Sequence, residues 1–89
     1  MEELIVKKLS EKEILDRAIR SWPIWEKEIS RFPWKYDGDE ECLIIGGEVI
    51  VETEEGNFRI TAGDFVVFKK GLKCVWDIKQ PIRKYYNFP

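Results

Sequence analysis

Apolar and polar residues along most of this chain alternate with a period of two. Phe32, Trp34 and Tyr36 alternate with Arg31, Pro33 and Lys35, which gives one aromatic face. Ile5 and Val6 mark a short first strand. Further strands are expected at 42–45, 49–53, 58–60, 65–68, 74–78 and 83–88. The segments between them carry turn chemistry: Asp37-Gly38-Asp39, Gly46-Gly47, Glu55-Gly56-Asn57, Gly63-Asp64 and Lys70-Gly71. One stretch has helical spacing instead. Ser10 and Glu13 form a capping box, and Ile14, Leu15, Ala18 and Ile19 make an apolar face, so a helix is expected over 11–19. Many short strands at a spacing of roughly ten residues predict an all-β sandwich or barrel with one short N-terminal helix.

Length and charge narrow the class. A chain of 89 residues is expected to be a single domain, 1–89, with an N-terminal strand and helix at 1–20 and a barrel at 21–89. Its 15 basic and 17 acidic residues are interspersed, which leaves no field for nucleic acid or for an anionic membrane surface. No apolar run approaches the roughly 18 residues that cross a bilayer. The opening MEELIVKKLSEKE is too charged for a signal peptide, so a cytoplasmic protein is expected. Cys42 and Cys74 are then expected to be free thiols. Abundant Lys and Glu beside two Asn and one Gln is a thermophile-like composition.

The segment ECLIIGGEVIVETEEGNFRITAGDFVVFKKGLKCVW resembles the two conserved boxes of a cupin, a double-stranded β-helix barrel of jelly-roll type. Its flanks, WPIWEKEISRFPWKY and PIRKYYNF, are similar to the small ureidoglycine aminohydrolase-like cupins, and the likeness spans about residues 20–88. In metal-binding members of the superfamily the boxes supply three histidines and a glutamate. The matching positions here hold Trp34, Tyr36, Glu40 and Cys74, Lys69 stands where a proline is usual, and the chain has no histidine. The resemblance therefore implies the barrel frame without most of its metal ligands, and no metal or other cofactor is expected. A zinc site on Glu40, Cys42 and Cys74 is the alternative, set against a reading of both thiols as core.

The ligand-pocket candidates are Phe32, Trp34, Tyr36, Glu40, Cys42, Cys74 and Trp76, with Tyr36 expected at the barrel mouth, showing its hydroxyl to a ligand. No catalytic residue is assigned, since triads and dyads built on histidine are excluded by composition. Glu40 is expected among Trp34, Tyr36, Cys42 and Cys74, with no cation beside it. Arg83-Lys84 is expected on a strand's wet face, and residues 37–41 form a solvated acidic turn. Apolar character on both faces of 42–45 predicts a homodimer. Two functions fit: a metal-free cupin that binds a small molecule or serves as a non-catalytic module, or an enzyme similar to ureidoglycine aminohydrolase acting on a small nitrogenous metabolite.

Overall fold

The computed structural model describes residues 3–89. Seven strands form one antiparallel sheet: β1 (Leu4–Lys8), β2 (Ile24–Lys27), β3 (Ser30–Lys35), β4 (Glu40–Thr53), β5 (Gly56–Thr61), β6 (Asp64–Phe68) and β7 (Lys73–Asn87). Between β1 and β2 lie α1 (Glu11–Asp16) and a single 3-10 turn at Ile19–Ser21. Among the described residues no helix is long and apolar enough to cross a membrane.

The two long strands organise the rest. At one end, residues 41–44 of β4 pair with 84–87 of β7, and this half is extended by β6 and β1 on one side and by β2 on the other. At the opposite end, residues 48–52 of β4 pair with 75–80 of β7, flanked by β5 and β3. Between the halves the β4–β7 register slips at Ile44, Gly46 and Glu48. The sheet thus turns a corner there and packs one half over the other. The slip also switches the inward parity of β4, from Cys42 and Ile44 to Val49 and Val51.

Gly47 makes the corner. Its φ of +90° lies in the left-handed region, and a Cβ built on it would collide with the Pro81 carbonyl. Pro81, which has no N–H to offer a ladder, sits opposite that irregularity, where the ladder is already broken. The Gly46-Gly47 turn read from sequence is therefore a bulge within one continuous strand. Segments 42–45 and 49–53 belong together as β4, and 74–78 and 83–88 as β7.

The inner faces of both halves meet in one core of Cys42, Ile44, Val49, Val51, Ile60, Val66, Phe68, Cys74, Trp76, Ile78 and Ile82. A second cluster lies outside the sheet, where Ile19 packs on Leu43 and Phe65. The capping box of α1 forms as expected, with the Ser10 hydroxyl accepting from Glu13 N–H. The helix stops at Asp16 rather than reaching 19, because Ala18 adopts a left-handed conformation, φ 53°. That break directs Ile19 down onto β4 and β6 as a fully buried plug. The outer residues Leu43 and Ile45 of β4 pack within the chain against Ile19, Phe65 and their neighbours.

The corner generates a prediction. Gly47→Ala should destabilise the protein by more than about 2 kcal/mol, since it adds left-handed strain to a backbone collision. Gly38→Ala, where nothing lies within 4 Å of a new Cβ, should stay within about 0.5 kcal/mol of the parent. Urea midpoints for the two variants check this; equal midpoints would remove Gly47 from its role at the corner.

Candidate functional site

A cavity of about 230 Å³ opens at the β2–β3 side of the barrel. Phe32 and Trp34 come from β3, Trp25 from β2, and Trp76, Lys84 and Tyr86 from β7; Tyr36, Glu40 and Phe88 complete it. Strand alternation explains most of this set. Residues 32 and 34 share one face of β3, and 84, 86 and 88 continue the inward register that Trp76, Ile78 and Ile82 establish along β7.

Lys84 and Glu40 form the base. Lys84 Nζ donates to Glu40 Oε2 at 2.6 Å, and the two side chains are only 7% and 8% exposed. The ammonium also lies over the faces of Trp25 and Trp76, 4.9 and 4.8 Å from their ring centroids. Those indoles stand at 82° to one another, so the cation occupies the corner between two π faces with the carboxylate as a third neighbour. This overturns two expectations. Glu40 does have a cationic partner, and Lys84 is not on a wet face. In an extended strand two adjacent charges point to opposite sides. Arg83 turns outward, where it pairs with Glu26, and Lys84 must turn in.

The aromatic residues divide by depth. Trp34 is 54% exposed at the rim, as is Phe88 at 66%, whereas Tyr36 is 3% exposed. Tyr36 is therefore not the ring at the mouth. Its ring stacks on Phe68, 4.6 Å between centroids at 7°, and its hydroxyl accepts from Trp76 Nε1–H at 3.2 Å. Its backbone is fixed on both sides, with its N–H on Leu72 O and its carbonyl accepting from Gly71. Burial, reinforced by the nearby Glu40 charge, pushes the Tyr36 hydroxyl far above its ordinary range, so it remains a proton donor.

Phe32, Trp34, Tyr36, Glu40 and Trp76 of the sequence candidates are thus brought to one cavity. Cys42 and Cys74 lie in the core instead and do not line it. Burial pushes the Cys42 thiol up to about 12, against the pull of the Lys84 charge, and the Cys74 thiol up to about 11. Both are protonated at neutral pH. Trp25, Lys84, Tyr86 and Phe88 are cavity residues that sequence reasoning missed. The acidic turn has a structural use: Asp39 accepts from the Lys70 N–H and ties the turn to the loop before β7.

These residues do not fit a transition metal. Among the described residues no group of three or more His, Cys, Asp and Glu is placed to hold one. Glu40 is engaged by an ammonium, the Tyr36 oxygen by an indole N–H, and the thiols are held in their protonated form.

Comparison with known proteins agrees with this geometry at the level of fold and family. Residues 16–86 match the EutQ-like cupin domain. The chain is 43% identical to a DUF861 family protein from Thermotoga maritima, with a TM-score of 0.94 over 98% of this chain and 100% of that one. It superimposes on the EutQ protein of Clostridium difficile with a TM-score of 0.66 at 19% identity, over 97% of this chain and 68% of that one. A putative ethanolamine utilization protein Q from Salmonella typhimurium gives 0.64 at 20% identity, over 93% and 66%. At these lower identities the likeness is one of fold. No curated protein matches the chain.

The ion pair has a measurable signature. Glu40→Gln strands an ammonium in an apolar site and should cost about 3–5 kcal/mol, with a similar loss for Lys84→Met. Glu40→Leu combined with Lys84→Met should recover most of that loss, to within about 1 kcal/mol of the parent or better. Denaturant melts of the four proteins check this, and single-variant losses below about 0.5 kcal/mol would mean the pair behaves as a surface contact.

The thiols predict a pH dependence. An unfolded thiol ionises near 9.0, whereas Cys42 in the fold does so only near 12. The unfolded state therefore releases its proton first as pH rises. The stabilising contribution of Cys42 is complete below about pH 9 and is lost between 9 and 12. Stability should fall over that window, and Cys42→Ala should flatten the fall whatever it does to stability at pH 7. Parallel slopes for the two proteins would contradict the assignment.

Proposed function

The chain belongs to the EutQ-like cupin family, and from that starting point we propose that this small cupin-domain protein binds a small molecule in its aromatic cavity without using a metal. One observation carries the reading: a solvent-reachable cavity walled by aromatic rings, with a buried ion pair at its base. Apolar walls with a few convergent polar groups are the usual make-up of ligand sites. Rim rings such as Trp34 and Phe88 leave more than half of their surface in water, so covering them with a ligand yields apolar burial that the fold alone does not take.

The narrower likeness, to ureidoglycine aminohydrolase-like cupins, would make the chain an enzyme on a small nitrogenous metabolite. The positions that match the superfamily's histidine ligands carry Trp34, Tyr36 and Cys74, and an ammonium holds the remaining carboxylate. Those features favour binding over metal-assisted hydrolysis.

NMR titration of the labelled protein with a set of one- and two-ring aromatic compounds tests the reading. Compounds that bind should shift the indole N–H signals of Trp25 and Trp76. Trp34→Ala should weaken them by about threefold to tenfold, the worth of one aromatic contact, without lowering thermal stability. If no compound in the set gives saturable binding, the cavity is a packing defect rather than a site.

A further inference from the structure

The polar atoms at the base of the cavity restrict what it can hold. Glu40 accepts its hydrogen bond from Lys84 at Oε2; Oε1 has no hydrogen-bond partner among the described residues. Yet among those residues no fully enclosed side-chain oxygen or nitrogen is left without a partner. Oε1 is therefore not fully enclosed, and because Glu40 lines the cavity, its unused acceptor is open to a ligand there. Lys84, which also lines it, spends one of its three N–H donors on Glu40. A carboxylate oxygen that must accept and an ammonium that can still donate thus meet at one end of an otherwise aromatic cavity.

Charge narrows the choice further. Lys84 and Glu40 neutralise each other, and among the described residues no other charged side chain lines the cavity. A carboxylate ligand would add a second anion beside Glu40, and a cationic ligand a second cation beside Lys84. Either leaves one buried charge in excess without a partner. An apolar ring has the opposite fault. It would cover Oε1 with nothing to donate to it, leaving a buried charged acceptor unsatisfied. A neutral group with an N–H beside a C=O avoids both faults, because its N–H reaches Oε1 while its carbonyl accepts from Lys84.

Shape supplies the remainder. The walls are ring faces and edges, which favour a planar ligand. A volume of about 230 Å³ is below the roughly 300 Å³ at which drug-sized pockets begin, which limits the ligand to one ring or two fused rings. We propose that the cavity is selective for small planar lactams, compounds with one or two fused rings that carry a ring N–H adjacent to a carbonyl. This inference rests on the binding reading above and specifies its ligand class.

Isothermal titration of the intact protein with four probes tests it: 2-quinolone, N-methyl-2-quinolone, quinoline-2-carboxylate and naphthalen-2-ylmethylammonium. The expected result is measurable binding of 2-quinolone, with the N-methyl compound weaker by about tenfold or more because it cannot donate to Oε1. Both ions should bind more weakly than 2-quinolone. The variant with Glu40→Leu and Lys84→Met keeps the aromatic walls, so it should bind 2-quinolone and its N-methyl analogue equally. If the native protein binds the N-methyl compound as tightly as the parent, or prefers either ion, lactam selectivity is overturned while the cavity stands as a binding site. If none of the four binds, the binding reading fails with it.

Discussion

Inside the barrel an ammonium loses most of the water that would solvate it, and the placement of Lys84 depends on what replaces that water. The Glu40 carboxylate lies 2.6 Å from Nζ, and two indoles at right angles turn their negative faces toward it. Removing two charges from water costs several kcal/mol per ion, a loss that a well-made pair roughly cancels. Each desolvated cation–π contact adds about 1–2 kcal/mol. The balance is a few kcal/mol at most, which two well-packed apolar side chains would match. Stability alone therefore does not favour this pair over apolar side chains.

The pair in turn depends on the corner at Gly47 and Pro81. Glu40 and Lys84 lie on the half of the barrel that holds β1, β6 and β2, whereas Phe32, Trp34 and Trp76 lie on the half that holds β3 and β5. Only a sheet that bends between residues 44 and 48 of β4 brings the two sets together. The register slip lets β4 face inward on even positions before the corner and on odd positions after it. A straight β4 would turn either Val49 and Val51 or Cys42 and Ile44 out to water. The corner that packs the core is therefore the same feature that assembles the cavity.

Strand alternation made the all-β class and the aromatic face of β3 legible in the sequence, and the Ser10–Glu13 box located α1. Gly46-Gly47 was misleading, because its chemistry suits a turn and a bulge equally well. β2 escaped notice since it is short, follows a proline and leaves Ile24 exposed, and Trp25 was missed with it. The ion pair had left a trace. Glu40 shares its parity with Cys42 and Ile44, and Lys84 shares its parity with Trp76, Ile78, Ile82 and Tyr86. Each is a charge in an apolar register, and the two are of opposite sign. Reading Arg83-Lys84 as a charged pair concealed this, because neighbours on a strand do not share a face. What alternation could not supply was the pairing of β4 with β7, which places the two charges together.

An ammonium and a metal ion demand different surroundings, which accounts for the side chains around Glu40. A zinc-like cation requires several lone pairs converging at about 2.0–2.3 Å, and imidazole and thiolate deliver them. An ammonium is satisfied by one carboxylate and by diffuse π faces near 5 Å. The rings of Trp25 and Trp76 suit the second case and supply no ligands for the first. The thiol of Cys74, held protonated by burial, is consistent with a core position beneath them. A lysine cation also differs in being covalently fixed. It offers N–H donors where a metal would offer an open coordination position. The proposed binding mode accordingly relies on hydrogen bonding and stacking, with the carboxylate that the frame retains as the acceptor at the base of the cavity.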